Sequence, residues 1–315
     1  MDYDVIVVGC GPAGASAAYF NAEAGRKVLL IEKADFPRDK ICGDGVTGKS
    51  LGILYEMGLD AEIAGIKEIS CDSVLLSSPD ETLLTIPIAS PDDPLTAFCI
   101  ERLLFDNVLY ERAVESVKAN GGTLLKEKVS GVVVESDVVT GVRVKDKTYS
   151  AKLVVGADGF NGPVSRHVMG ETQQPKQNRK HYSSAVREYW EGIEGSEGQI
   201  EIHFIKGILP GYFWIFPLSD KRFNIGVGML LADMDNQSVK LKEMLDWVVN
   251  ESFLAERFSD AKAIPNTRKG WMLPMGSPRG LSLNPRKNFV KGCVLVGDSA
   301  SLIDPFTGEG IGNAL

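Results

Sequence analysis

The stretch from Asp4 to Ile31 constrains the fold of this chain more than any other. Asp4 to Val8 is a short apolar strand, Gly9-x-Gly11-x-x-Gly14 follows at once, Ala15 to Ala24 has helical composition, and Lys27 to Ile31 is a second apolar strand. Glycines in this pattern are weak evidence alone, but between a strand and a helix they mark a dinucleotide-binding βαβ unit rather than a merely structural turn. Gly9 permits the tight turn, Gly11 lets the backbone approach a pyrophosphate, and Gly14 lets helix and strand pack closely. A phosphate placed there meets helix N-terminal amides and the positive end of the dipole. Glu32 ends the second strand, where its carboxylate can accept hydrogen bonds from ribose hydroxyls and would repel a 2′-phosphate. FAD or NAD is therefore expected, not NADP.

The chain has 315 residues, enough for two domains. Its formal charge of -8 argues against a broad nucleic-acid surface, though not against a local basic patch. The N-terminal apolar run has no basic leader and breaks at glycines, so it reads as a buried strand and not an export signal. No uninterrupted apolar segment approaches the roughly twenty residues of a membrane span. A soluble or peripherally membrane-associated protein fits better than a spanning one. Cys10, Cys42, Cys71, Cys99 and Cys293 are widely spaced and odd in number, with only three histidines. That spacing suits no metal site and no extracellular disulfide framework, and a reducing, cytoplasmic compartment is expected. His167, His181 and His203 stand in no hydrolase-like order.

Phe36 to Gly45, FPRDKICGDG, is a polar, glycine-broken loop ahead of a predicted helix at Thr47 to Met57. A plain NAD dehydrogenase more often continues directly into another βα unit, so the loop suggests a shape built around a ligand. Glu101 to Ala119 reads as a helix, and Leu153 to Val155 and Cys293 to Val296 as apolar strands. Gly131 to Val134 and Val139 to Val144 read as a hairpin. Strand-like runs at Ser73 to Leu76 and Thr82 to Pro87 precede alternating runs at Ser183 to Tyr189, Gln199 to Ile205, Tyr212 to Leu218 and Phe223 to Leu230. These predict an antiparallel sheet with one buried face. A helix near Val239 to Val249 carries Leu241, Leu245 and Val248 on one stripe. Within GYFWIFPL, alternation sends Tyr212, Trp214 and Phe216 to one face and Phe213 and Ile215 to the other. Those rings are either plain core or the wall of a ligand pocket.

Several motifs stand in a telling order: the Gly9 to Gly14 turn with Glu32, FPRDKICGDG, Glu101-Arg102-x-x-Phe105-Asp106, and Gly156-Ala157-Asp158-Gly159. Gly297-Asp298-Ser299-Ala300 and Asp304-Pro305-Phe306-Thr307-Gly308-Glu309-Gly310-Ile311-Gly312 complete the set. The series resembles the geranylgeranyl reductase family, within the flavoproteins that share the p-hydroxybenzoate hydroxylase fold. GYFWIFP followed by Phe223 to Gly228 looks like the reductase branch in particular. The resemblance implies an α/β protein: a Rossmann-like FAD-binding domain with an inserted antiparallel-sheet substrate domain of α+β character. The expected division is 1–70, 98–177 and 290–315 for FAD, and 71–97 and 178–289 for substrate. The last helix would stop within a turn or two of its start at Leu315, which is marginal for a helix, so the natural chain is expected to continue.

The resemblance further implies that FAD is held by Gly9, Gly11, Pro12, Ala13 and Gly14, with Glu32 and Lys33 beyond them. It adds Cys42, Gly43 and Arg102 beside the flavin, although Arg102 also reads as a solvated helix charge. Ala157, Asp158 and Gly159 would lie near the pyrophosphate, with Arg166 one residue out of the usual spacing. Gly297, Asp298, Pro305, Gly308, Gly310 and Ile311 would meet the ribityl chain and ring, with a helix beginning near Gly308. Cys42, Tyr212 and Trp214 are the catalytic candidates; Cys42 reads either as a thiol whose thiolate Arg38 and Lys40 favour or as a small buried hydrophobe.

The implied activity is reduction of isolated C=C bonds in a geranylgeranyl or other prenyl chain, carried on an archaeal-type lipid, a chlorophyll precursor or a quinone. Reduced flavin N5 would donate the hydride, since no side chain can. Electrons would come from NAD(P)H or a ferredoxin-like protein, because the chain has no iron–sulfur cysteine spacing of its own. The enzymatic rival is a flavin monooxygenase or halogenase of the same fold; the non-enzymatic one is a flavin-bound sensor or prenyl-lipid carrier.

Overall fold

A computed structural model describes residues 1–59, 61–62, 65, 70–88, 97–170, 176, 178–196, 198–276 and 286–315. The chain opens with β1 (Tyr3–Val8), α1 (Pro12–Glu23) and β2 (Val28–Ile31). A short β3 (Gly45–Thr47) and α2 (Gly48–Glu56) lead to β4 (Ser70–Cys71), β5 (Ser73–Ser77), β6 (Leu83–Pro87) and β7 (Ala97–Cys99). Helix α3 (Arg102–Ala119) precedes β8 (Thr123–Leu125), the hairpin β9 (Gly131–Glu135) and β10 (Val138–Val144), β11 (Lys147–Gly156) and α4 (Pro163–Met169). There follow β12 (Tyr182–Glu191), β13 (Gln199–His203), β14 (Tyr212–Pro217), β15 (Arg222–Leu230), α5 (Leu231–Gln237) and α6 (Leu241–Glu251). The last elements are β16 (Lys262–Ala263), β17 (Lys269–Pro274), β18 (Phe289–Val290), β19 (Cys293–Leu295) and α7 (Ile311–Ala314).

One sheet runs β18-β19-β11-β1-β2-β8, parallel from β19 to β8, with β10 and β9 added beside β11. At its centre, Val5 to Val8, Val28 to Ile31 and Leu153 to Val155 are apolar runs because both faces are covered there. Val5, Val7, Val28 and Leu30 face the core shared with α1 and α3, while Ile6, Val8, Leu29 and Ile31 face the opposite core with Val154 and Val164. Helix α1 presents the fully buried Ala15, Ala18 and Ala22 to its side of the sheet. Pro12 takes the first helical position, where no amide donor is needed.

The second sheet runs β16-β12-β15-β14-β13-β5-β6, with β17 beside β12. It is antiparallel except where β5 pairs parallel with β13, Gln199 opposite Ser73. An all-antiparallel sheet was the expectation from alternation, and alternation specifies faces but not strand direction. The three residues of the α6 stripe are buried against Phe213, Ile215, Ile225 and Val227. Each such aliphatic burial contributes about 1.5–3 kcal/mol. A third, three-stranded sheet, β3-β7-β4, has no counterpart in the sequence expectations. Its pair Gly45–Cys99 draws the FPRDKICGDG loop onto the start of α3, where Ile100 N–H donates to the Asp44 carbonyl at 2.9 Å. The expected domain boundary at 177 lies outside the described residues.

Candidate functional site

The glycine turn leaves room at one position only of its three. Gly9 has φ +96°, and a Cβ there would lie 2.3 Å from the Ala157 carbonyl oxygen. A Cβ on Gly14 would lie 1.9 Å from the Gly9 carbonyl oxygen. Both glycines are therefore required by the protein's own packing. A Cβ on Gly11 would meet nothing closer than Arg38 Nη2 at 3.7 Å, so the space above it is open. Glu32, buried at the end of β2, accepts the Cys10 amide at 2.7 Å and the Ala34 amide at 2.8 Å, one on each oxygen. Each oxygen retains a lone pair for a further donor. Lys33, next along, is exposed.

Beside this turn, Asp106 holds two arginines. Arg102, the first residue of α3, is buried and makes a two-pronged pair with Asp106 at 2.6 and 2.8 Å. Burial opposes its charge, but Asp106 and then the Cys42 thiol outweigh that and raise its pKa. The reading of Arg102 as a solvated helix charge is thereby excluded. Arg38 Nη1 lies 2.8 Å from Asp106 Oδ2 yet out of line for a hydrogen bond, leaving a buried donor unspent. Open space over Gly11 and an unspent guanidinium donor at its edge fit the pyrophosphate of a dinucleotide.

The loop from Cys42 to Gly45 lies against the aromatic strand. A Cβ on Gly43 would be 3.1 Å from the Phe216 ring and 3.6 Å from Trp214 Nε1; one on Gly45 would also be 3.1 Å from Phe216. Tyr212, Trp214 and Phe216 form a ladder with centroids 6.2 and 6.3 Å apart. Phe213 and Ile215 point the other way, into the core under α6. The strand thus turns one face to the core under α6 and the other to the Cys42–Gly45 loop. The Tyr212 hydroxyl donates to the Thr307 carbonyl at 3.1 Å, and burial, with Cys42 and Asp304 nearby, pushes its phenol up to about 12.

Asp44, fully buried and left-handed at φ +68°, sits between the two glycines. It accepts from Tyr189 Oη and Asn224 Nδ2, both at 2.8 Å. Burial pushes its carboxyl from the ordinary 3.8 to about 6, although Asn224, Tyr189, Arg187 and Arg102 pull the other way. That rise corresponds to about 3 kcal/mol against the charged form. Because the folded value is raised, the stability this group contributes is full below about pH 4 and is lost as pH rises through 6. Arg187, also buried, clamps Asp39 of the same loop at 2.7 and 2.8 Å and stacks 4.0 Å over Tyr189. Lys269 adds a third bond to Asp39 at 2.9 Å.

The C-terminal motif closes the ring. A Cβ on Gly297 would lie 2.8 Å from Ala13 Cβ, which places Gly297 and Asp298 at the start of α1. Asp298 also lies within electrostatic reach of Lys40. Gly308 abuts the Tyr212 hydroxyl. Helix α7 begins at Ile311 and not near Gly308, because Asp304 Oδ1 takes the amides of Phe306 and Thr307 in a tight turn. The Gly312 amide is then taken by Glu309 at 2.8 Å. Ile311 is buried in the α1 core, Gly310 packs on Ile303, and Pro305 is exposed. Asp158 turns inward: it accepts the Val164 and Ser165 amides at 2.8 and 3.3 Å, capping α4, and Ser299 Oγ at 3.2 Å. Burial pushes it up to about 6 as well. Ala157 and Gly159 flank it in the turn beside Gly9, and Arg166 is exposed on α4.

Sequence reasoning had assigned no role to Asp44, Asp106, Arg187, Tyr189 or Asn224, and had set Arg38 beside Cys42 and not beside the glycine turn. One local signal was available for Asn224, a polar residue between Phe223 and Ile225 in a strand-like run, since buried polar groups require partners; Arg187 stands among other polar residues of β12 and gave no such signal.

Residues 2–189 match the family model described as an FAD binding domain, and residues 181–267 match the geranylgeranyl reductase catalytic domain. The chain is 32% identical to the menaquinone reductase of Mycolicibacterium smegmatis, over 98% of this chain and 72% of that one. The chain belongs to the geranylgeranyl reductase family of FAD-dependent oxidoreductases. It is also 32% identical to a digeranylgeranylglycerophospholipid reductase of Methanosarcina acetivorans, over 99% of this chain and 72% of that one. Among solved structures, a geranylgeranyl bacteriochlorophyll reductase-like protein from Thermoplasma acidophilum superposes with a TM-score of 0.81 at 27% identity, covering 99% and 75% of the two chains. A myxobacterial chondrochloren halogenase superposes at 0.80 with 23% identity, covering 99% and 71%, a likeness of fold alone. The family is that expected from the motif order, and FAD is its cofactor.

Proposed function

We propose that this protein reduces isolated C=C bonds of a geranylgeranyl or related prenyl chain carried on a lipid or quinone. The observation that carries this reading is the Tyr212–Trp214–Phe216 ladder packed on the Cys42–Gly45 loop, in a chain of this family. Its similarity to proteins named as digeranylgeranylglycerophospholipid and menaquinone reductases supports an isoprenoid substrate. Bound FAD, once reduced, supplies the hydride equivalent that no side chain can. The protein's own part is to hold the alkene against the rings, exclude water and deliver a proton to the second carbon. Cys42 and Tyr212 are the side-chain candidates for that proton, with ordered water the third.

The Gly11 opening, Arg38 and Glu32 would hold the pyrophosphate and ribose of FAD, with Gly297 and Asp298 toward the ribityl chain. Electrons come from NAD(P)H or a ferredoxin-like protein. The protein works in the cytoplasm with peripheral access to lipid; among the described residues no helix is long and apolar enough to cross a membrane.

The test is anaerobic stopped-flow absorbance of the reduced protein mixed with a geranylgeranyl lipid, and separately with oxygen. Reoxidation by the lipid without oxygen is expected. A reduced flavin indifferent to the lipid that reoxidises only through an oxygen adduct would instead establish the monooxygenase or halogenase reading. In the same assay Cys42→Ser and Tyr212→Phe identify the proton donor: its loss slows reoxidation by about 100-fold, the usual scale of a general acid.

A further inference from the structure

A single directional chain of hydrogen bonds joins the aromatic ladder to the loop that carries Cys42. The Trp214 indole can only donate, and it donates to Asn224 Oδ1 at 3.0 Å, which fixes the orientation of that amide. The two Asn224 N–H groups then go to the Cys42 carbonyl and to Asp44 Oδ2, each at 2.8 Å. Tyr189 donates its hydroxyl to the same Oδ2. Asp44 Oδ2 is thus where the path from Trp214 through Asn224 and the path from Tyr189 both end. Every member is buried or half-buried, and the members lie up to 182 residues apart in sequence.

We propose that ionised Asp44 is a positioning residue, holding the Cys42 loop and the Trp214 ring in register for the reaction. The ionised carboxylate only accepts: Oδ2 takes both donors and Oδ1 faces the Arg102 amide at 3.4 Å, whereas protonation on Oδ1 sets an O–H against that amide donor and weakens both bonds to Oδ2 by removing the charge. Its surroundings make the charge costly, since burial holds Asp44 at about 6. Facing it are Arg187 and Tyr189 from β12, Arg102 from α3, Cys99 from β7 and Cys42 from its own loop. A buried charge kept against its own desolvation is more often found at working sites than in passive cores. The proposal takes its kinetic readout from the reductase reading above, but its spectroscopic readout stands without it.

The experiment compares FAD-loaded wild type, Asp44→Asn and Tyr189→Phe from pH 5 to 8. Infrared spectroscopy follows the protonated-carboxyl stretch, and the Asp44→Asn difference separates Asp44 from Asp158. Reduction of a geranylgeranyl lipid gives kcat and KM over the same range. A carboxyl band appearing near pH 6 is expected, with wild-type kcat falling below the same point. Asp44→Asn should keep FAD, lose at least tenfold in kcat at unchanged KM, and show no acid limb.

Tyr189 favours the ionised form of Asp44, so Tyr189→Phe should move both the band and the limb to higher pH. A merely structural role would not shift them together. Wild-type kcat in Asp44→Asn, or a limb that stays put in Tyr189→Phe while the band moves, overturns the proposal. If Asp44→Asn does not fold, Tyr189→Phe decides by that same criterion. If wild type leaves the lipid untouched, the reductase reading fails and Cys42 alkylation by iodoacetamide takes over as readout. A severalfold change of its rate in Tyr189→Phe supports the positioning role, and an unchanged rate overturns it.

Discussion

Gly11→Ala is expected to leave the apoprotein folded and to weaken FAD binding by up to about 100-fold. Gly11 sits at φ −72°, a conformation open to alanine, and its added methyl would touch only Arg38 Nη2 at van der Waals distance. As an N-cap, alanine costs about 1 kcal/mol or less relative to glycine, a small fall in apoprotein Tm. Against a pyrophosphate lying over that position, the methyl forces an overlap of about 1–3 kcal/mol, and the upper end corresponds to the 100-fold figure. Gly14→Ala is the contrast, since its Cβ would strike the Gly9 carbonyl at 1.9 Å and unsettle the turn with or without FAD. Flavin fluorescence titration and apoprotein melting separate the two effects. If Gly11→Ala binds FAD as wild type does, the pyrophosphate does not cross Gly11. If it lowers apoprotein stability as much as Gly14→Ala, the position is structural.

Glu201→Gln is expected to cost about 3–5 kcal/mol of stability, the scale of breaking a buried ion pair by removing one partner. Glu201 is fully buried in β13, and Arg257 grips it at 2.7 and 2.8 Å. His203 Nε2 lies 2.8 Å away, and Ser196 donates to the same carboxylate. Burial works against its charge, but these bonds outweigh burial and hold the carboxyl at about 2. The sign follows from that depression: the stabilisation is full above the ordinary 4.5 and is lost as pH falls through 2. Urea unfolding followed by tryptophan emission should show a lower midpoint at pH 7. It should also show an acid-dependent loss in wild type that the glutamine variant lacks. FAD affinity should not change, since Glu201 touches none of the glycine-turn residues. A midpoint within about 0.5 kcal/mol of wild type would mean that Arg257 and His203 are satisfied without the charge.

Both substitutions probe features of very different legibility. The glycine turn is local: three glycines within six residues, a strand before and a helix after, each dictated by sterics that reach no further than the next turn. The same holds for the faces of β14, because a period of two separates Trp214 from Phe213 whatever surrounds the strand. Family membership was legible for a related reason, since the motifs that carry it are short runs read one at a time in order.

The partners of buried charges were not legible. Asp158 looks like a pyrophosphate neighbour in the sequence, yet its carboxylate caps α4 because the chain folds back six residues later. Glu201 meets Arg257 across 56 residues, and Asp44 meets Tyr189 across 145. A buried carboxylate takes whichever donors the packed sheets deliver, and that delivery is set by strand order. Strand order itself, including the parallel seating of β5 on β13, follows from which apolar faces bury one another over the whole chain. The sequence by itself determined the nucleotide turn, the alternation of the aromatic strand and the family, all of which short-range geometry encodes. Only the tertiary structure decided where each buried charge finds its partner, because desolvation is relieved by spatial neighbours and not by sequence neighbours.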